Sequence, residues 1–241
     1  MQARGVAVTH RRDLVITIDG PAGAGKGTVA TLLARRLGYR LLDTGATYRA
    51  AALSVMRAGI AVDDVPALGR HLGQIDIRVV DGRVFLDGRD VSGEIRSQEI
   101  SQLTSRLSAV RVVREKVTPI QRQEAAGGGV VLEGRDTGTV VCPDADVKFY
   151  LTATLDARAC RRFDELVAQG SAVTLDAVRA EVAARDAQDA NRELAPLRRA
   201  LDAIEVDTTA LNPAEVVDTM AQVVEQRRAE RRAIVTACES R

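Results

Sequence analysis

Aromatic side chains are scarce in this chain: it has no Trp, three Tyr and three Phe, or 2% of 241 residues. Proteins that hold single-stranded nucleic acid use stacked aromatic platforms, so the composition argues against that class. The core must instead be aliphatic and rich in Ala. Cysteine is also scarce and odd in number. Cys142, Cys160 and Cys238 share no metal-type spacing and read as reduced thiols, which suits a cytoplasmic protein and excludes a disulfide framework. No apolar run reaches membrane-spanning length, and the opening MQARGVAVTHRRD lacks the apolar segment of a secretory signal. A soluble cytoplasmic protein with no membrane partner is therefore expected. A net charge of +1 creates no global field towards nucleic acid. Lys occurs only at Lys26, Lys116 and Lys148, and every other basic residue is Arg, which grips phosphate bidentately where Lys acts as a point charge.

What is present is a globular composition, 46% hydrophobic and 28% charged, of a length that suits one domain with an insertion. Residues 1–13 read as a flexible tail. LVITI (14–18), YRLLD (39–43), VVLE (130–133), DVKFYLT (146–152) and AIEVDTT (203–209) are short apolar runs of strand character. Between them, TVATLLARRL (28–37) and ATYRAAALSVMRAG (46–59) have helical period. Two helices are expected over 94–126, one from Thr154 to about Ala168, one from Thr174 to about Arg192, and a last one opening at Asn212-Pro213-Ala214-Glu215. The alternation predicts an α/β fold with a five-stranded parallel sheet flanked by helices. Residues 74–92 differ. QIDIRVVDGRVFLDGRDVS has two Asp-Gly pairs between alternating residues, the signature of tight hairpins, so a small antiparallel meander should interrupt the sheet. The expected division is a core of 14–60 and 127–232, an insertion of about 61–126 and a lid of about 158–195.

Chemistry enters where the first strand ends. LVITI runs into Asp19 and then Gly20-Pro21-Ala22-Gly23-Ala24-Gly25-Lys26-Gly27-Thr28, and a helix follows. Glycines let the backbone curl so that its N–H groups point at a phosphate; the helix start adds positive potential, and Lys26 can reach the β and γ oxygens of a nucleotide. This is a P-loop, with one departure. The Ser or Thr that normally follows the lysine is Gly27, with Thr28 next, a version seen in nucleoside-monophosphate kinases. Which hydroxyl touches a metal is therefore open.

A kinase needs a second site for the acceptor. The ligand crevice of an open α/β sheet lies beyond the carboxyl ends of its strands. Two motifs fall there: DTGATYR (43–49), with Thr44, Tyr48 and Arg49, and EGRDTGT (133–139), with Glu133, Arg135 and Asp136. A third candidate is RDAQDANR (185–192), in which Arg185, Asp189 and Arg192 share a helical face. Arg161 and Arg162 on the preceding helix add positive charge. The Gly-containing loop AQGSAVT between those helices would let a lid close and exclude water. The basic run QRRAERR near the end reads as a solvated helix face.

Taken together, GPAGAGKGT, DTGATYR, DVSGEIR, EGRDTGTVV, PDADVKFYL and RDAQDANR resemble, in this order, the motifs of bacterial cytidylate kinases across residues 14–210. The resemblance implies phosphorylation of CMP and dCMP by ATP with Mg2+, by a monomeric enzyme with no nucleic-acid partner. It implies that Arg49, Arg135 and Arg192 bind the CMP phosphate, that Ser105, Arg114 and Asp136 recognise cytosine, and that Arg185 and Asp189 hold the sugar. It places Thr44 and Tyr48 among the substrate contacts, with Thr44 where relatives often carry Ser. Gln188 and Ala190 stand at positions that are often Arg in relatives. Lys26, Arg135, Arg162 and Arg192 would catalyse by charge, and Mg2+ carried by ATP would lie near Thr28 and Glu133. No general base is expected, because a phosphate dianion is already nucleophilic; His10 in the tail and His71 in the insertion are the two histidines. Another small acceptor, such as UMP or shikimate, or a nucleotide-dependent switch, would share the P-loop.

Overall fold

The computed structural model describes residues 13–239. All of the expected N-terminal tail except Asp13 lies outside that range. Five parallel strands form the main sheet: β1 (Val15–Asp19), β2 (Arg40–Asp43), β6 (Val130–Glu133), β7 (Val147–Thr152) and β8 (Ile204–Asp207). Their order is β2-β6-β1-β7-β8, with β1 at the centre. A strand covered on both faces needs no polar alternation, and all five residues of β1 are buried. Its side chains still divide between two cores. Ile16 and Ile18 pack with Val147 and Phe149 against α1 (Lys26–Leu37) and α8 (Pro213–Glu239), whereas Val15 packs with Val130 and Leu132 on the opposite face, against α5 (Arg111–Ala125).

A further core lies beside the sheet. It joins α2 (Thr44–Arg57), α3 (Val65–Gln74), α4 (Gln98–Leu107) and α5 to an antiparallel meander of β3 (Ile77–Val80), β4 (Arg83–Leu86) and β5 (Arg89–Asp90). Both meander turns are the ones foreseen. Asp81 and Gly82, and Asp87 and Gly88, all have positive φ, between 50° and 79°, as a type I′ turn demands of its two central residues. A separate small cluster of Leu166, Val178 and Val182 pins α6 (Leu155–Ala168) to α7 (Leu175–Ala190).

Several boundaries move. The helix α1 begins at Lys26 rather than Thr28, and α2 begins at Thr44, directly after the strand, because the Asp43 carboxylate accepts from Ala46 N at 3.0 Å and caps it. Helix α7 ends at Ala190, so Arg192 lies beyond it and not on its face. Helix α3 was not foreseen, although Asp64 caps it from Ala67 N at 2.9 Å and Pro66 stands in its first turn. One turn of π-helix, Thr137–Val141, follows β6 and has no local signature. The C-terminal basic run is not simply solvated. Arg228 stacks on the Tyr39 ring at 4.7 Å, and Arg231 pairs with Asp146 at 2.9 Å, so these two arginines fasten α8 to the sheet.

The start of α8 follows its sequence closely. Asn212 Oδ1 accepts from Ala214 N and Glu215 N at 2.9 and 3.1 Å, and Glu215 Oε2 accepts from Asn212 N at 2.8 Å. Asn212→Ala should lower unfolding stability by about 1 kcal/mol, read as a lower urea midpoint at unchanged m-value.

Candidate active site

Three acidic residues end three adjacent strands at the carboxyl edge of the sheet: Asp19 of β1, Asp43 of β2 and Glu133 of β6, with Asp43 and Glu133 in direct register. The P-loop springs from the first. Gly20 has φ of +148°, and a Cβ there would lie 2.1 Å from the Leu151 carbonyl oxygen, so no side chain fits beneath the loop. Gly25, at φ 83°, turns the chain into α1 and places Lys26 in the first turn. The Lys26 ammonium donates to the Pro21 carbonyl at 2.7 Å across the loop. Burial and the nearby Arg135 guanidinium push its pKa well below the usual lysine range. Burial first, and then the Asp43 carboxylate, push Glu133 upwards. Asp19 is buried too, and burial raises it, opposed by bonds from Thr137 N, Thr137 Oγ1 and Gly138 N, each 2.8 Å long. Asp19 thus ties the P-loop strand to the turn that follows Asp136.

A cleft of about 390 Å³ opens over this edge, and P-loop residues from Ala22 to Thr28 form part of its wall. Its far side carries the acceptor candidates. Thr44, Tyr48, Arg49, Ser105, Arg114, Arg135, Asp136, Arg162, Arg185, Asp189 and Arg192 all line it, so the fold brings every one of the expected acceptor residues to one place. Asp189 is buried between two guanidiniums, accepting from Arg135 Nε at 2.9 Å and facing Arg192 Nη2 at 2.8 Å. Arg114 pairs with Asp136, donates to the Ser108 carbonyl at 3.1 Å and lies 5.7 Å from the centre of the Tyr48 ring. Arg49 pairs with Asp43. The close approach of β2 and β6 here depends on Gly134, where a Cβ would meet the Thr44 hydroxyl at 2.5 Å; that hydroxyl donates to the Glu133 carbonyl at 2.7 Å.

Positive charge is in excess at the centre. Arg49 Nε and Arg185 Nε are buried without hydrogen-bond partners, and burial together with Arg135 lowers the Arg185 pKa to about 10. Guanidiniums crowded in this way, with donor atoms unused, form a receptor for an anion. Arg161 does not join them. It donates to the Thr208 hydroxyl at 3.0 Å and to the Thr208 carbonyl, supporting the far end of the sheet, while Arg162 reaches the cleft and pairs with Glu165 at 3.0 Å. As for metal, no group of three or more His, Cys, Asp or Glu among the described residues could hold an ion. Thr28 and Glu133 nonetheless offer hard oxygen donors on the P-loop side. A Cβ at Gly27 would touch the Glu133 carboxylate at 3.4 Å, so the missing side chain leaves that carboxylate open to the loop. One carboxylate beside phosphate oxygens suits Mg2+, which keeps several of its waters.

Sequence reasoning missed a second set of contacts around the P-loop. Arg158 on α6 is buried, donates to the Ala22 carbonyl at 3.0 Å and pairs with Asp186 of α7, whose carboxylate accepts from Ala22 N at 3.3 Å. No local pattern marks Arg158, because its partners lie 28 and 136 residues away. Ser108, which accepts from Arg192 Nη1 at 3.2 Å, was missed for the same reason. No helix among the described residues is long and apolar enough to cross a membrane.

A parallel sheet with a P-loop at its central strand, facing an arginine-lined pocket for a second anion, defines a phosphoryl-transferring kinase of the P-loop class. A family model described as cytidylate kinase matches residues 16–226. The chain is 51% identical over 226 residues to the cytidylate kinase of Geobacter sulfurreducens, covering 92% of this chain and 97% of that relative. It is 50% identical over 216 residues to the cytidylate kinase of Mycobacterium leprae, covering 89% and 97%. The chain belongs to the cytidylate kinase family.

The lowered Lys26 pKa has a thermodynamic signature. Burial first and Arg135 second hold the amine down; a phosphate beside it would favour the charged form and raise it again, so binding should take up protons between the free and bound pKa values, and affinity should fall as pH rises through that window. Calorimetry of metal-free ADP binding over a pH series, in two buffers of different ionisation enthalpy at each pH, should detect this uptake. Lys26→Met should remove most of it.

Proposed function

We propose that the enzyme transfers the γ-phosphoryl group of ATP to CMP and dCMP, forming ADP with CDP or dCDP. The observation that carries this reading is the position of Asp189, which holds Arg135 and Arg192 together in the cleft that the P-loop walls on its other side. A nucleotide-dependent switch needs no such second anion pocket.

On this reading ATP lies with its phosphates in the curl of Gly20 to Thr28, and Lys26 reaches the β and γ oxygens. The monophosphate of the acceptor is held by Arg49, Arg135 and Arg192. One of its oxygens attacks the γ-phosphorus in line as the bond from phosphorus to the βγ-bridging oxygen breaks, with no general base. The charge of the transferring group falls on Lys26, Arg135, Arg162 and Arg192, which are already in place and so cost little reorganisation. Cytosine is read by Ser105, Arg114 and Asp136, and the sugar by Arg185 and Asp189. Mg2+ would be held by Thr28 and Glu133 together with the triphosphate, and would supply further charge neutralisation. The α6–α7 hairpin acts as a lid of about 158–195, and the segment of about 61–126 carries the base-binding wall. Because one chain lines the whole cleft, we read the enzyme as a monomer acting on the cytoplasmic nucleotide pool.

The test is an ADP-release assay across CMP, dCMP, UMP, AMP and shikimate. Turnover should be stimulated by CMP and dCMP and far less by the others; absence of CMP stimulation refutes the reading. Arg49→Ala should lower kcat/KM for CMP by about 10²-fold or more while leaving ATP affinity near its original value. Asp136→Ala should reduce the CMP-over-UMP preference by roughly tenfold or more, since it leaves the Arg114 guanidinium without its partner.

A further inference from the structure

Helices α4 and α7 face one another across the cleft, yet their apolar side chains belong to separate cores. Ile100 and Leu107 of α4 pack with the meander, and Val178 and Val182 of α7 pack with α6. Polar contacts span the gap, and the most specific is made by Gln188. Ser105 Oγ donates to Gln188 Oε1 at 2.9 Å, and Gln188 Nε2 donates to the Ser105 carbonyl at 3.3 Å. The direction of this pair is determined by chemistry. A backbone carbonyl can only accept, so the amide nitrogen must face it, and the amide oxygen is left for the hydroxyl. Ser108 Oγ donates to the same carbonyl at 3.1 Å, which confirms its role as acceptor.

We infer that Gln188 is a specificity-determining positioning residue: by accepting the hydrogen bond from the single O–H of Ser105, it makes Ser105 an acceptor only towards the acceptor base. A serine has one O–H and two lone pairs. With the proton committed to Gln188 Oε1, the face that Ser105 turns to the cleft carries lone pairs, which accept from the C4 amino group of cytosine and oppose the C4 carbonyl of uracil. Gln188 itself is exposed and does not line the cleft, so it acts through Ser105 rather than on the substrate. An arginine at the same position has donors only and could not accept that proton. The bond also forms only when α7 lies over α4, which couples discrimination to closure of the cleft. The inference rests on the reading that Ser105 faces the base.

The experiment compares kcat/KM for CMP and for UMP in the wild type, Gln188→Met, Ser105→Ala and the double variant. Gln188→Met keeps the length and removes the acceptor, which frees the serine proton to turn towards a uracil carbonyl. It should lower the CMP:UMP ratio by roughly five- to tenfold. Ser105→Ala should lower the ratio as well, and adding Gln188→Met to it should change the ratio no further. A ratio unchanged in Gln188→Met while Ser105→Ala lowers it overturns the role of Gln188 and leaves the base reading standing. An equal shift in both backgrounds overturns it too, since Gln188 would then act independently of Ser105. A ratio unchanged in Ser105→Ala removes the base reading itself and this inference with it.

Discussion

The rest of this structure depends on a concentration of positive charge held out of water at the carboxyl edge of a parallel sheet. Lys26, Arg135, Arg185 and Arg192 lie within one cleft, and burial first, then repulsion from Arg135, depresses the pKa values of Lys26 and Arg185. Such a cluster is tolerable only because carboxylates are threaded through it. Asp189 joins Arg135 to Arg192, Asp43 meets Arg49, Asp136 meets Arg114, and Glu133 lies close to Lys26. The neutralisation is partial. Some guanidinium nitrogens stay buried without hydrogen-bond partners, which leaves donors unused in the cleft.

Three of the hydrophobic cores carry that cluster. The first fixes β1 and α1, and so the P-loop; the second carries α4 and α5, which bear Ser105 and Arg114; the third unites α6 and α7, which bear Arg162, Arg185 and Asp189. Contacts between these bodies at the cleft are polar: Arg158 and Asp186 with the Ala22 peptide of the P-loop, Gln188 with Ser105, and Arg192 with Ser108. Hydrogen bonds of this kind are individually modest beside the apolar packing within each body.

Much of this was legible in one dimension because the governing rules are local. The Asp-Gly pairs demanded positive φ at both central residues, and Asp81, Gly82, Asp87 and Gly88 have it. The start of α8 was readable from Asn212, Pro213 and Glu215 because a helix end must satisfy its own N–H groups nearby. The P-loop was readable because strand, glycines, lysine and helix follow one another without a gap. Helix α3 carries an equally local signal in Asp64 and Pro66, but its ten residues hold few apolar repeats beside the regular meander pattern. Arg161 and Arg162 were not separable by sequence: a 100° step along a helix sends one to Thr208 and the other to the cleft. Arg192 kept its partner Asp189 even though it lies past the end of α7.

By itself the sequence determined the phosphate loop, the parallel sheet and the meander, since each rests on backbone geometry or periodicity spanning a few residues. Only the tertiary structure decided how the charges pair. That Asp189 should bind Arg135 across 54 residues, that Arg158 should hold the Ala22 peptide with Asp186, and that Ser105 should donate its O–H hydrogen bond to Gln188 across 83 residues follow from how the cores dock. Long-range electrostatics depends on distance in space, and no spacing along the chain encodes that distance.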